Sequence, residues 1–225
     1  MIAFRRLIEA VAREPTLTWR PLPAQFSFLR SPHGRRLLRA GNQWGKTTAG
    51  AVDLICAVTG ENPWCPELAM PGFVNKRGKS RLALPGEQAG IEAWVICASW
   101  DASLPVQQKI YELLPKHLLH PDDTFDAVRG FGVKTPKFRV KHKSGGWSIV
   151  KIKTMGQGGL RLASATIQYA WFDEPPETRR IYTEITKRVM RAGRYGRVIL
   201  TMTPINAPVD WIRKTVEVDR RIERS

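Results

Sequence analysis

Residues 35–50 read RRLLRAGNQWGKTTAG: an apolar pair, a glycine-bracketed loop and an Ala-rich continuation. Leu37 and Leu38 suit a short buried strand, Gly41-Asn42-Gln43-Trp44-Gly45 a tight loop, and Lys46-Thr47-Thr48 the first turn of a helix. Glycines let backbone N–H groups turn inward around phosphate oxygens. Lys46 can set an ammonium against β- and γ-phosphates, and the Thr47 hydroxyl can hold Mg²⁺. The helix opening here turns its positive dipole end toward the same anions. One departure is visible, since the first glycine of the G-x-x-x-x-G-K-[ST] pattern is Ala40 here.

A second stretch completes the chemistry. Residues 167–174 read IQYAWFDE, an apolar run ending in two acids. A buried strand that carries Asp173 and Glu174 at its carboxyl end supplies what a phosphate loop lacks: Asp173 to support Mg²⁺, Glu174 to orient and deprotonate an attacking water. Residues 197–203, RVILTMT, form a further strand ending in Thr201-Met202-Thr203. A polar group there, beside the acidic strand, can sense the γ-phosphate; a plain strand-to-loop transition fits the same residues equally well.

Composition bounds the rest. A chain of 225 residues that is 43% hydrophobic and 25% charged suits one soluble domain with a sizeable core. Its net charge of +16 implies a polyanionic partner. No run approaches the length of a membrane span, and the start, MIAFRRLIEAVARE, lacks the apolar core and cleavage site of a signal peptide, which points to the cytoplasm and no membrane partner. Cys56, Cys65 and Cys97 lack C-x-x-C spacing and read as buried thiols, and four scattered histidines offer no metal site.

In chain order, residues 1–18 open with an amphipathic helical pattern that Pro15 interrupts. Residues 19–28 hold two prolines, expected to prevent regular structure, before Gln25 flanked by aromatics. Gln25 can present donor and acceptor to an adenine edge; capping a helix is the equal alternative. A helix over 49–58 is broken by Gly60, residues 60–92 form a long irregular insertion rich in Gly and Pro, and residues 93–98, AWVICA, form a buried strand. Ser99 to Ser103 then offer cap residues before a helix from Pro105 to Leu114. Between Ala127 and Phe172 lie nine Lys or Arg and no Asp or Glu. Within that segment, FRVKHKSGGWSIVKIKT alternates around Ser144-Gly145-Gly146, the mark of a β-hairpin. Arg139, Lys141 and Lys143 are expected on one face of one strand, Lys151 and Lys153 on one face of the other. Such a hairpin can track a phosphate backbone, against the plainer reading of a solvated strand face. A helix over 178–192 follows, with Ile181, Ile185 and Val189 inward and Arg180, Lys187, Arg188 and Arg191 outward.

Strands alternating with helices around such a loop give an α/β P-loop NTPase of the ASCE or RecA-like kind. Its central sheet is expected to be mainly parallel, with helices on both faces, a phosphate site at the strands' carboxyl ends and a basic β-hairpin insertion. Gln25, RAGNQWGKTT, CASWDAS, YAWFDEPPE and LTMTP occur in that order, and over residues 20–212 the set resembles the ATPase domain of the large terminase subunit of tailed bacteriophages. The resemblance implies an ATP- and Mg²⁺-dependent motor over residues 19–212 that drives double-stranded DNA into a procapsid. It implies a host-cytoplasmic location at the portal protein, a small terminase subunit as partner, and a five-membered ring that is monomeric in isolation. Gln25 would read adenine and residues 41–48 would bind phosphate, with Lys46 catalytic. Thr47 and Asp173 would serve Mg²⁺, Glu174 would be the base, and Thr201 to Thr203 would couple hydrolysis to DNA movement.

Two departures from the family accompany these expectations. Many relatives carry Arg where this chain has Asn42, which favours an arginine supplied by a neighbouring subunit: Arg161 first, with Arg129 and Arg139 as alternatives. The chain also ends at Ser225 with a charged tail over 213–225 and no strand framework for a nuclease. Two other readings share the residues: another DNA-dependent ATPase of helicase or recombination type, and a basic nucleic-acid binding module with a vestigial phosphate loop.

Overall fold

The computed structural model describes residues 9, 13–74, 86–132, 136–157, 166–190, 196–204 and 209–212, and in it the apolar runs of the sequence become strands of one sheet. The strands are β1 (Arg35–Arg39), β2 (Phe73–Val74), β3 (Gln88–Ala89), β4 (Glu92–Cys97), β5 (Phe125–Asp126), β6 (Gly130–Phe131), β7 (Lys137–Lys141), β8 (Trp147–Thr154), β9 (Tyr169–Asp173) and β10 (Arg197–Met202). The helices are α1 (Pro15–Thr18), α2 (Pro23–Arg30), α3 (Lys46–Thr59), α4 (Trp100–Leu113), α5 (Arg179–Met190) and α6 (Val209–Ile212). The central sheet runs β1-β10-β9-β4-β8-β7, while β2-β3 and β5-β6 are two-stranded ribbons. Every pairing in the central sheet is parallel except that of β7 with β8.

Burial on both faces explains the continuous apolar strands. β4 is buried at every position and β9 at all but Asp173, as parallel strands sandwiched between helices require. On one face Leu38, Val95, Tyr169, Trp171 and Ile199 pack against the apolar sides of α2, α3 and α4. On the other, Trp94, Ile96, Phe172, Val198 and Leu200 pack against Tyr182, Ile185 and Val189 of α5 and Ile212 of α6. Each such side chain, fully buried, contributes about 1.5–3 kcal/mol before the entropy of ordering it. Gly60 takes a left-handed φ of +74° and closes α3 through its N–H to Cys56 O at 3.1 Å, the usual way a helix stops.

Several expectations change in detail. Pro23 does not prevent regular structure; it occupies the first turn of α2, where its missing N–H costs nothing. α4 begins at Trp100, because Ser99 caps it by accepting from the Ala102 N–H at 3.1 Å, and Pro105 lies inside the helix. The basic hairpin is no appendage: β8 pairs with β4, so β7 and β8 form one edge of the central sheet. Arg188 of α5 is 5% exposed and sits on the inner side of the helix, not the outer. The helical pattern over 1–18 is described only at residue 9 and from residue 13, and Arg191 and the tail over 213–225 lie outside the described residues.

Candidate functional site

β1 leaves the sheet at Arg39 and the chain turns through residues 40–45 into α3. Two backbone positions make the turn possible: Gly45 at φ +68° and Gln43 at φ +63°. Glycine is favoured at 45, where a Cβ would be strained by the left-handed φ and would lie 2.8 Å from Gln25 Nε2. Gly41, Asn42, Gln43 and Trp44 face solvent, whereas Lys46 is buried, its ammonium folded into the loop and donating to Gly41 O at 2.6 Å. Thr47 and Thr48, half-buried, follow in the first turn of α3.

β10 lies between the strand that leads into this loop and the strand that carries the acids. In register, Leu38 faces Thr201 and Thr201 faces Asp173. Asp173 Oδ1 accepts from Thr47 Oγ1 at 3.2 Å and from Thr201 Oγ1 at 3.0 Å, so the loop, β10 and the acidic strand meet on one oxygen. Trp171 Nε1 donates to Thr201 Oγ1 at 3.0 Å and fixes that hydroxyl from below. Burial raises the Asp173 carboxyl to about 6, against the hydrogen bonds from Thr201 and Thr47 and with the repulsion of Glu174. A half-buried carboxylate beside a hydroxyl offers two hard oxygens, a set that suits Mg²⁺ with water and phosphate completing its octahedron. Among the described residues no group of three or more His, Cys, Asp or Glu forms an all-protein metal cage.

Glu174 follows at φ +70°, a left-handed conformation that costs a non-glycine residue about 1–2 kcal/mol. Its N–H donates to Thr201 O at 2.9 Å, and its carboxylate accepts from Thr203, whose N–H reaches both oxygens at 3.2 and 3.0 Å and whose hydroxyl reaches Oε1 at 2.8 Å. The same hydroxyl lies 3.3 Å from Asn42 Oδ1. Met202, between the two threonines, is buried on the α5 side, so of the Thr-Met-Thr triplet only the threonines reach the site.

Solved structures of phage large terminases share this architecture. The ATPase domain of the Thermus phage P74-26 large terminase matches at TM-score 0.54 and 16% identity, over 84% of this chain and 67% of that one. The chain folds as a phage large terminase ATPase domain does. The large terminase of a second, thermophilic bacteriophage matches at TM-score 0.60 and 12% identity over 91% of this chain, and that of bacteriophage HK97 at 0.56 and 16% over 89%. This chain spans 44% and 38% of those two proteins' lengths. No family model and no curated protein matches it.

Within this terminase-like fold, Gln25 holds the loop. Its Nε2 donates to Trp44 O at 2.8 Å and Gly45 O at 3.3 Å, while its Oε1 accepts the Leu22 N–H at 2.8 Å. The amide thus caps α2 and braces the glycine-bracketed loop together, with Phe28 buried and Phe26 and Trp44 exposed. Pro at the first helical position and Gln at the third were the available signal for α2.

The basic residues separate into different environments. Arg139 is tied to Asp123 through its Nε at 3.0 Å and Nη2 at 2.9 Å, and Lys151 is tied to Glu92 at 2.5 Å. Both acids lie outside the acid-free segment, which is why a count along the chain overstates the free charge. Lys141 lies over Trp147 and Lys153 over Trp94, and these two join Lys137 on one face of the sheet edge. Lys143 leaves that face: it sits in the turn after β7, its N–H on Thr59 O at 2.8 Å, beside a cavity of about 260 Å³ at the far end of α3. Arg129 is exposed on the β5-β6 ribbon, and Arg161 lies outside the described residues.

One constellation had no sequence signature. Arg36 on β1 makes a paired contact with Asp53 on α3, Nη1 and Nη2 each at 2.8 Å, and Tyr169 on β9 donates its hydroxyl to the same carboxylate at 2.8 Å. Arg36 also donates to Phe28 O at 3.0 Å, so one buried guanidinium joins α2, β1 and α3 below the loop. The residues are scattered in sequence over 28–169, and only the sheet order brings them together.

Proposed function

We propose that this chain is the ATP-hydrolysing motor domain of a large terminase, over residues 19–212, coupling ATP turnover to translocation of double-stranded DNA into a procapsid. The observation that carries the reading is the contact of Thr47 with Asp173, which brings the end of the phosphate loop onto the strand that delivers Glu174. Loop N–H groups and Lys46 bind the triphosphate, and Gln25 keeps the loop's curvature while standing near the adenine side. Thr47 and Asp173 would hold Mg²⁺, which supplies charge neutralisation between the β- and γ-phosphates. Glu174 takes the proton from the attacking water, and Thr201 and Thr203, on the strand between loop and acids, pass the state of the phosphate to the sheet. Lys137, Lys141 and Lys153 offer a phosphate-tracking face for the duplex. The portal protein, the small terminase subunit and a five-membered ring belong to the same reading, and an arginine from the neighbouring subunit completes it.

The test is ATP turnover against protein concentration, with and without linear duplex, for the wild type and Glu174→Gln. The variant is expected to bind nucleotide as the wild type does and to lose turnover by about two to four orders of magnitude. Turnover within a few-fold of wild type would remove Glu174 as the base. Turnover rising more steeply than protein concentration supports the ring.

A further inference from the structure

α3 opens at the glycine-bracketed loop and stops at Thr59, and its length puts the far end about 20 Å from Lys46. A cavity of about 260 Å³ lies beside that far end. Ile55, Cys56, Ala69, Pro115 and Leu118 give it a largely apolar wall. Burial pushes the Cys56 thiol well above its usual range, which leaves it as wall and not as a nucleophile. Asn62, 5% exposed, is the exception in that wall. Its Oδ1 accepts the Trp64 N–H at 3.1 Å and the Cys65 N–H at 3.0 Å, which fixes which end of the amide is oxygen and locks its orientation. Nδ2 is left with two N–H donors and makes no hydrogen bond to the described residues. The neighbouring hydroxyl is already committed: Thr59 Oγ1 donates to Ile55 O at 2.8 Å and accepts the Glu61 N–H at 3.3 Å. Charges of both signs line the same cavity, Glu14 and Glu61 against Lys143, so it favours neither an anion nor a cation over a neutral molecule.

We propose that this cavity is a binding site for a small neutral molecule made of one ring and one carbonyl, the ring against the apolar wall and the carbonyl oxygen on Asn62 Nδ2. A buried amide donor without an acceptor is costly, and native proteins keep few of them. An apolar cavity of about 150 Å³ accommodates benzene, so this larger one has room for a ring with a short substituent. A hydrocarbon of the same size would cover Nδ2 and leave it unmatched, whereas a carbonyl oxygen takes the hydrogen bond that the protein does not supply. Binding is reversible and nothing is transferred. The site stands apart from the glycine-bracketed loop, and the inference holds whether or not the chain hydrolyses ATP.

The test titrates the whole nitrogen-labelled chain with acetophenone and, separately, with ethylbenzene, which has a similar size and no acceptor. The side-chain amide signals of Asn62 are assigned through Asn62→Asp. In the wild type these signals are expected to move, saturably, as acetophenone is added. Asn62→Asp keeps an oxygen for the Trp64 and Cys65 N–H groups and, at about pH 8, replaces the donor with a carboxylate. It should weaken acetophenone about tenfold and ethylbenzene by less than about twofold. Ala69→Leu, at a half-buried position on the wall, fills the cavity without touching Asn62 and should abolish binding of both probes. It also keeps the proposal open to refutation should Asn62→Asp fold poorly. Absence of a saturable shift would mean that the cavity holds water alone and would overturn the proposal. So would an equal loss of both probes in Asn62→Asp, or undiminished binding in Ala69→Leu.

Discussion

Asp173→Asn should make the protein more stable in metal-free buffer, although it removes a residue central to the site. The Asp173 carboxyl is pushed up from 3.8 to about 6, chiefly by burial. A folded-state value above the unfolded one means that the folded protein holds this proton more tightly. The site is therefore neutral at low pH, and stability is lost as pH rises through the interval between the two values. At about 1.4 kcal/mol per pH unit, that interval corresponds to about 3 kcal/mol once both states are ionised. Asparagine keeps the acceptor that Thr47 and Thr201 use but also resists burial, which trims the expected gain to about 1–2 kcal/mol. For a chain of this size that is roughly 3–6 °C in Tm. The assay is urea and thermal unfolding of both proteins in chelator, from about pH 4.5 to about pH 8. The difference should be small at the acid end and reach its plateau near neutrality. Mg²⁺ with nucleotide should narrow it by stabilising the wild-type carboxylate. A variant less stable than wild type at the alkaline end, or a gap that does not change with pH, would refute the argument that this carboxylate is ionised at a cost.

Other consequences can be checked on the same protein. Arg36→Ala leaves Asp53 buried beside the Tyr169 hydroxyl without its counter-charge and should cost about 3–5 kcal/mol in urea unfolding. The pair Arg36→Met with Asp53→Leu should recover most of that loss. Gly50→Ala would set a Cβ against the Trp171 ring, well inside van der Waals contact, and should destabilise by about 1–3 kcal/mol. Turnover should fall too, since the Trp171 indole anchors Thr201. Lys141→Gln and Lys153→Gln should each lower the slope of log K for duplex against log salt by about 0.9. Lys143→Gln, which lies off that face, should leave the slope unchanged.

The loop, the helix after it and the acidic strand were legible because each is a local pattern: glycine spacing, Gly60 as a stop, and an apolar run ending in acids. Ser99 was legible as a cap for the same reason, but the helix begins directly after it at Trp100 rather than at Pro105, because the hydroxyl caps the Ala102 N–H and Pro105 is accommodated inside. Strand order was not legible. The insertion of β10 between β1 and β9 is a long-range pairing, and no residue of RVILTMT says which neighbours it takes. The hairpin was legible as a hairpin, but its incorporation as the sheet edge, and the acids Asp123 and Glu92 that meet Arg139 and Lys151, come from segments outside it. Gln25 stands out in the sequence as a polar residue beside aromatics; that it braces the loop backbone depends on α2, where Pro23 occupies the first turn rather than breaking the helix.

The shared rung of Leu38, Thr201 and Asp173 sets a limit on how this site can vary. Three strands reach the same level because each has the length that its register demands. One residue inserted into or deleted from β10 would exchange its two faces. Val198, Leu200 and Met202 would turn toward α3, and Thr201 would be presented to α5. Tolerated change in relatives should therefore be substitution at constant length within the three strands, with insertions confined to the connections beyond their amino ends. The proposed site sits past the carboxyl ends, where a single replacement can change a side chain without moving the frame. Asn42, exposed on the loop between β1 and α3, is a position of that kind.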